Sequence, residues 1–271
     1  MPDHRTAALV AALRAAGCVF AEDEAALLLE AAASDEDLVA MLARRVAGEP
    51  LEHVVGWAGF DGLRVAVEPG VFVPRRRSEA LVAVAAGLVG PGATVLDLCC
   101  GSGALGLAVA TRVPGVRLHA ADVDPVAVGV ARRNLAPVGG VVHEGDLFAA
   151  LPPALAGTFD LVVANVPYVP HDELALMPRE ARDFEPAAAL DGGGDGLDLL
   201  RRVASGVRTW LAPGGSVVTE ANPAQAPAAL AALVSGGLVA RAVAAEDDDE
   251  TAVLVGTRRA GSDGRGGGTG Y

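Results

Sequence analysis

The 271-residue chain contains no lysine, and all 21 of its basic residues are arginine. That absence removes whole chemistries: a phosphate-loop lysine, a Schiff-base lysine and a catalytic ammonium. Cysteine is scarce. Cys18 and the adjacent Cys99 and Cys100 are an odd number and form no disulfide framework. The histidines (His4, His53, His119, His143 and His171) have no zinc-type spacing with one another or with cysteine, so no metal site is expected. No uninterrupted apolar run approaches the roughly 20 residues that span a bilayer, so no membrane partner is expected. Residues 1–14 carry Asp3, His4 and Arg5 without a signal-peptide apolar region, which makes the cytoplasm the expected address. The net charge of −13 argues against broad, sequence-independent nucleic-acid binding, and no stable nucleic-acid partner is expected.

What is present is a globular chain. Hydrophobic residues make up 52% and charged residues 20%, enough for a sizeable core and too apolar for disorder. Up to about Arg45 the pattern is helical, with Leu9, Leu13, Leu27, Leu28, Leu38 and Leu42 at helical spacing and Ser34 as an N-cap before an acidic turn. Gly48-Glu49-Pro50 ends this block. Gly56, Gly59 and Gly62 then punctuate short apolar pieces, and Leu63–Val67 alternates, which predicts a hairpin closed by Glu68-Pro69-Gly70. Residues 1–70 are therefore expected to form a small helical N-terminal domain with a linking β-hairpin.

From residue 71 to about 259 strands and helices alternate. Strands are predicted at Thr94–Leu98, Val116–Ala121, Val141-Val142, Leu161–Ala164, Ser216–Glu220, Leu238–Val243 and Thr251–Gly256. Helices are predicted at Ser78–Val89, Gly103–Thr111, Val126–Leu135, Leu197–Leu211 and Ala224–Val234. This order predicts an α/β fold: a doubly wound, seven-stranded, Rossmann-like parallel sheet with an antiparallel hairpin at one edge. Residues 260–271 are Gly-rich and are expected to be a disordered tail.

The first predicted strand runs into Asp97-Leu98-Cys99-Cys100-Gly101-Ser102-Gly103-Ala104-Leu105-Gly106, a glycine loop before a helix. Glycines let a ligand approach the backbone at a helix N-terminus. A dinucleotide loop would place the first glycine directly after the strand, whereas Asp97 stands four positions before Gly101 and would repel a pyrophosphate. Asp122 ends the next strand, where a carboxylate accepts ribose hydroxyls. Asp146 follows the third strand, able to accept from an adenine amino group, and Phe148 is placed to cover the ring. Three carboxylates around a glycine loop that holds no phosphate suit S-adenosylmethionine, which is cationic and phosphate-free, better than a nicotinamide dinucleotide.

After the fourth strand comes Asn165-Val166-Pro167-Tyr168. A strand-end asparagine alone is an ordinary turn residue. This one is accompanied by Gly48–Gly56, by Phe72-Val73-Pro74-Arg75-Arg76-Arg77-Ser78-Glu79, and by Asp183-Phe184-Glu185-Pro186 with Ala189-Leu190 and Gly196-Leu197 behind it. In content and order these segments resemble the protein glutamine N5-methyltransferases (the HemK and PrmC group), from about Gly48 to Gly256. That family carries Asn-Pro-Pro-Tyr and Phe-Val/Ile-Pro-Arg-Pro-Glu-Thr-Glu at the corresponding places. The resemblance implies a class I S-adenosylmethionine-dependent methyltransferase domain, preceded by a helical domain concerned with substrate recognition. The implied partner is a protein substrate, the Gly-Gly-Gln glutamine of a peptide chain release factor.

By the same resemblance, the Asn165 side-chain oxygen and the Val166 backbone carbonyl accept the two hydrogens of the substrate amide and aim its lone pair. Pro167 and Tyr168 complete the motif. Asp97, Gly101, Gly103, Asp122, Asp146, Phe148 and Asn165 are the expected cofactor residues. Phe72, Pro74, Arg75 and Glu79 are the expected substrate-pocket border. Val166 stands where the family has its first motif proline; the functional carbonyl survives that exchange, and Pro167 still holds residue 166 near extended geometry. Two other readings remain at this point: an adenine N6-methyltransferase acting on DNA or RNA, which shares the planar-nitrogen motif, and an inactive cofactor-binding partner subunit.

Overall fold

The computed structural model describes residues 4–243 and 251–260. Beyond Ala260, the expected glycine-rich tail lies outside the described residues. In chain order the elements are α1 (His4–Ala15), α2 (Ala21–Ala31), α3 (Asp35–Val46), α4 (Leu51–Val55), β1 (Trp57–Phe60), β2 (Leu63–Ala66), α5 (Glu79–Ala86), β3 (Thr94–Leu98), α6 (Ala104–Arg112), β4 (Arg117–Asp122), α7 (Pro125–Leu135), β5 (Val141–Glu144), β6 (Phe159–Ala164), α8 (Arg179–Phe184), α9 (Asp198–Trp210), β7 (Leu211–Ala221), α10 (Ala226–Ser235), β8 (Val239–Val243) and β9 (Ala252–Thr257). Among them, no helix is long and apolar enough to cross a membrane.

The first three helices and α4 close on a core of their own: Leu9, Leu13, Ala21, Ala25, Leu28, Leu38, Met41 and Val54. Ser34 caps α3 by accepting from the Asp37 N–H at 3.1 Å. One buried guanidinium ties this unit together and to the rest of the chain. Arg45 bonds Glu24 through Nε at 2.6 Å and, through Nη1, Glu180 on α8 at 2.5 Å.

The hairpin β1–β2 turns at Asp61-Gly62, both at positive φ (52° and 74°), the twist that two-residue hairpin turns require. It is clamped to the following domain. The Asp61 N–H donates to Glu79 at 3.0 Å, and the Asp61 carboxylate pairs with Arg112. Asn134 on α7 bonds both backbone groups of Ala66 at 2.9 and 3.0 Å, and also the Ser102 carbonyl at 2.8 Å.

The main sheet has seven strands in the order β5-β4-β3-β6-β7-β9-β8. β5 to β7 pair in parallel, and β9 is antiparallel to both of its neighbours. The expected edge hairpin is thus an insertion: β8 takes the edge, and β9 returns between it and β7. Alternate residues serve opposite faces. Leu96, Leu98, Val162 and Ala164 pack with α9 and α10. Val95, Leu161 and Val163 pack with α5, α6, α7 and the hairpin residues Phe60 and Val65. Both faces are covered, which is why the central strands are near-continuous apolar runs. The buried stripe of α9 is Leu200, Val203, Ala204 and Val207; Leu211, at the end of the predicted helix, begins β7 instead.

Asn134→Ala leaves three backbone groups at the hairpin edge and glycine loop without partners. A stability loss of about 2–3 kcal/mol is expected, from the usual cost of orphaned part-buried groups. Urea unfolding monitored by circular dichroism measures it. A loss below about 0.5 kcal/mol would show that water replaces these bonds.

Candidate functional site

The C-terminal ends of β3, β4 and β6, together with the segments that follow β5 and β6, border one cavity of about 640 Å³. That volume is in the range of small-molecule sites. Its wall is built from four stretches: the glycine loop, the turn after β4, the turn after β5, and Asn165–Val169. Residues 70–78 and 186–193 close it from the other side.

The glycine loop leaves β3 through Cys99, whose φ of +57° is unusual for a side-chain-bearing residue. Gly101 (φ +53°) opens on the cavity, and a Cβ built there would meet nothing within 4 Å. Gly103 begins α6 against Leu135, 3.1 Å from where its Cβ would lie. Gly106 lets α6 approach Asp97 and Leu118. The three glycines therefore do different jobs, and only the first faces the cavity.

Asp122 holds the loop from the next strand. Its carboxylate accepts the Gly101 N–H at 2.8 Å and the Asp124 N–H at 3.0 Å, and it lines the cavity. Burial raises its pKa, opposed by those two backbone donors. Asp146 also lines the cavity and is paired with Arg202 of α9 at 2.6 Å. Cys99 borders the same space. Its thiol pKa is pushed far up, first by burial and then by the negative charges of Asp122, Asp97 and Asp146.

At the end of β6, Asn165 Nδ2 donates to Ser78 Oγ at 3.2 Å, and Ser78 Oγ donates to Glu220 on β7 at 3.0 Å. Val166 is buried among Leu197 and Leu200 of the α9 side. The Tyr168 hydroxyl accepts from Arg77 Nε at 3.1 Å. Burial raises the pKa of the phenol. Behind the motif, Gln225 Nε2 donates to the carbonyls of Tyr168 and Asp195, both at 2.9 Å. Gly196 is required there, because a Cβ would stand 2.3 Å from both Gln225 and the Tyr168 carbonyl. On the opposite wall, Arg75 grips the fully buried Glu185 carboxylate at 2.6 and 2.7 Å and lies 5.0 Å over Phe72.

Of the residues singled out in the sequence, Phe72, Pro74, Arg75, Gly101, Asp122, Asp146 and Asn165 to Tyr168 border this cavity. Four stand outside its wall. Asp97 is fully buried behind the loop: one oxygen accepts the Gly106 N–H at 2.8 Å, and the other has no hydrogen-bond partner. Gly103 is turned into the α6–α7 packing. Glu79 faces the hairpin turn at Asp61. Phe148 does not cover the cavity. Leu147 adopts φ +49° and takes the wall position, while Phe148 stacks on Trp210, its ring centroid 5.9 Å away, over Gly206.

Sequence reasoning missed Ser78, Glu220, Gln225, Leu147 and Arg202. Ser78 lay within the Phe72–Glu79 stretch but stood only as the first residue of the predicted helix Ser78–Val89. Glu220 carried one signal, an acidic residue closing an apolar strand.

Burial raises the Asp97 pKa from 3.8 to about 8, with the Gly106 hydrogen bond opposing and the Asp122 charge adding to it. The folded protein therefore holds a proton that the unfolded chain releases above about pH 4, and stability falls as pH rises through this window to about 8. Asp97→Asn keeps an acceptor for the Gly106 N–H and removes the titration. Urea midpoints between about pH 5 and 8 should show wild type losing on the order of a few kcal/mol relative to the variant. Parallel curves would place the Asp97 pKa near its ordinary value.

Residues 62–195 match the family model described as the methyltransferase small domain. Among solved structures, a methyltransferase from Pyrococcus furiosus superposes with a TM-score of 0.56 at 16% identity, covering 73% of this chain and 90% of that one. The 16S rRNA N2 G1207 methyltransferase of Thermus thermophilus gives 0.54 at 22% identity, covering 75% and 50%. At these identities the likeness speaks for the fold alone. Curated relatives lie nearer. The release factor glutamine methyltransferase of Streptomyces coelicolor is 44% identical over 184 residues, 66% of this chain and 65% of the relative, so the match leaves about a third of that protein's length unspanned. That of Rhodospirillum rubrum is 37% identical over 247 residues, 90% of this chain and 74% of the relative. That of Xylella fastidiosa strain 9a5c is 37% identical over 231 residues, 83% and 82%. With 37% of the aligned residues identical to relatives that it spans over 74% and 82% of their length, the chain belongs to the release factor glutamine methyltransferase family.

Proposed function

We propose that this protein methylates the side-chain amide nitrogen, N5, of a protein glutamine with S-adenosylmethionine as donor, and that the glutamine is that of the Gly-Gly-Gln motif of a peptide chain release factor. The observation that carries the reading is the opening of Asn165-Val166-Pro167-Tyr168 into the same cavity as Gly101 and Asp122. A cofactor loop and a planar-amide motif sharing one enclosed space is what amide methylation needs.

The residues present fit the donor. Gly101 leaves room that any side chain would fill. Asp122 has both oxygens anchored by backbone N–H groups, so it is held rigid with lone pairs free for ribose hydroxyls. Asp146 is the acceptor available to an adenine amine. The three lining arginines do not form a phosphate cradle, because Arg75 is occupied by Glu185, Arg202 by Asp146 and Arg77 by the Tyr168 hydroxyl. When bound, S-adenosylmethionine supplies a methyl carbon on a positively charged sulfur.

This chain's own work is orientation. An amide nitrogen is a weak nucleophile because its lone pair is delocalised into the carbonyl. With Nδ2 turned toward Ser78, Asn165 offers its oxygen as acceptor, and the Val166 carbonyl is the second acceptor for the two amide hydrogens. Fixing both hydrogens holds the amide plane and costs no reorganisation at the moment of reaction. Tyr168, held by Arg77, forms a rigid wall beside them. The helices of residues 4–55 are the proposed substrate-recognition unit. In support, Arg45 joins them to Glu180 in the segment that leads into the cavity wall. The setting is the cytoplasm, where release factors work.

The assay is transfer of tritiated methyl from S-adenosylmethionine into purified release factor, with DNA and RNA as parallel acceptors and mass spectrometry to locate the label. Label on the Gly-Gly-Gln glutamine is the expected result; label on adenine, or none, would overturn the reading. Asn165→Ala should lower turnover about a hundredfold, the size of losing one preorganised contact at a reacting centre, and leave cofactor affinity nearly unchanged. Asp122→Ala should do the reverse, weakening cofactor binding by about 1–3 kcal/mol in calorimetry.

A further inference from the structure

We infer that Ser78 is a positioning residue for methyl transfer: its buried hydroxyl, polarised by Glu220, sets which end of the Asn165 amide faces the cavity. The inference rests on the glutamine-methylation reading and deepens it.

Three elements meet here from distant parts of the chain. Ser78 precedes α5, Asn165 follows β6, and Glu220 is near the end of β7; the two hydrogen bonds join residues 87 and 142 positions apart. Ser78 and Glu220 are each 1% exposed. The direction of the bonds follows from the donor inventory. Ser78 Oγ donates to Glu220 Oε1, so its single proton is committed there. The Ser78 oxygen then has only lone pairs to offer, and only the NH₂ end of Asn165 satisfies them. The Asn165 oxygen is left to the cavity. Reversed, the same side chain would set an NH₂ group against the N–H bonds of a substrate amide, two donors facing each other.

A second observation separates this from an ordinary role for serine. Ser78 ends the 3-10 turn Arg76–Ser78 that runs directly into α5, and its helical backbone (φ −71°, ψ −5°) leaves its hydroxyl out of the extended geometry in which a serine caps a helix. It makes no capping bond. The hydroxyl is directed instead to Glu220 and Asn165. The neighbouring Arg77 holds the Tyr168 hydroxyl, so consecutive residues of one segment fix both ends of the motif.

The test uses the full chain and two readouts. In steady-state kinetics on a release factor, Ser78→Ala should lower kcat about tenfold to a hundredfold, with cofactor KM within about twofold of wild type. Ser78→Thr, which restores the hydroxyl, should recover most of kcat. Glu220→Leu, which removes the acceptor and frees the Ser78 proton to turn toward Asn165, should lose as much as Ser78→Ala. In an Asn165→Ala background, Ser78→Ala should cost nothing further, because Ser78 acts through Asn165. The second readout needs no substrate. The Asn165 side-chain amide signal, assigned by its disappearance in Asn165→Ala, should exchange with solvent at least about tenfold faster in Ser78→Ala than in wild type or Ser78→Thr, as expected for a lost buried hydrogen bond. Unchanged exchange, kcat within about twofold in Ser78→Ala, or losses that multiply in the double variant would each overturn the inference. If the amide responds as expected while wild type labels no glutamine, the methylation reading fails and the hold of Ser78 on Asn165 stands.

Discussion

β3 and β6 are neighbours in the sheet although β4 and β5 come between them in the chain. The winding reverses at this pair. Connections leave the two strands toward opposite faces, and beyond their C-terminal ends no crossover helix among the described residues fills the gap. Ligands in open α/β sheets bind in that crevice. Everything assembled at the site is a consequence. The glycine loop leaves β3, the Asn165 motif leaves β6, and Asp122 reaches the loop from β4 because its strand is next in register. The neighbouring β7 sets Glu220 within hydrogen-bonding reach of Ser78.

The site is also a problem in charge. Asp97, Asp122 and Asp146 lie around one glycine loop in a chain whose net charge is already −13. Each is managed differently. Asp97 is buried and driven toward its neutral form. Asp122 is held by two backbone donors. Asp146 is partly neutralised by Arg202 at the surface. A cationic ligand relieves the repulsion that remains, whereas a polyphosphate would add to it. The same economy of arginines appears on the opposite wall, where Arg75 is committed to a carboxylate with no exposure of its own.

The fold was largely legible because strand and helix alternate with clear periodicity, and because buried parallel strands leave apolar runs of the right length. Boundaries were less so. A strand is predicted at Ser216–Glu220, yet β7 begins at Leu211, which pairs with Phe159 across an irregular register. The residues at strand ends were legible as site candidates because topology fixes where those ends point. Side-chain direction was not. Phe148 has the right sequence position to cover a ligand, but the left-handed backbone at Leu147 turns it into the core. Asp97 was read as ligand-facing, although the close approach of α6 at Gly106 seals it in. Contacts such as Ser78 with Glu220 carry no periodic signal, since only the folded sheet brings them together.

The cysteine at positive φ in the glycine loop bears on chemical selectivity. A sulfonium cofactor is an alkylating agent, and any nucleophile in reach competes for its methyl group. A thiolate is intrinsically a far better nucleophile than an amide, and Cys99 borders the same cavity as Asn165. The thiolate is the reactive form. Burial, and after it the acidic residues around the loop with Asp122 foremost, keep the Cys99 proton in place, so the sulfur behaves as a small apolar wall. The same acidic surroundings that suit a cationic donor thereby also hold the proton on both cavity cysteines, Cys99 and Cys100, which as thiolates would compete for its methyl group.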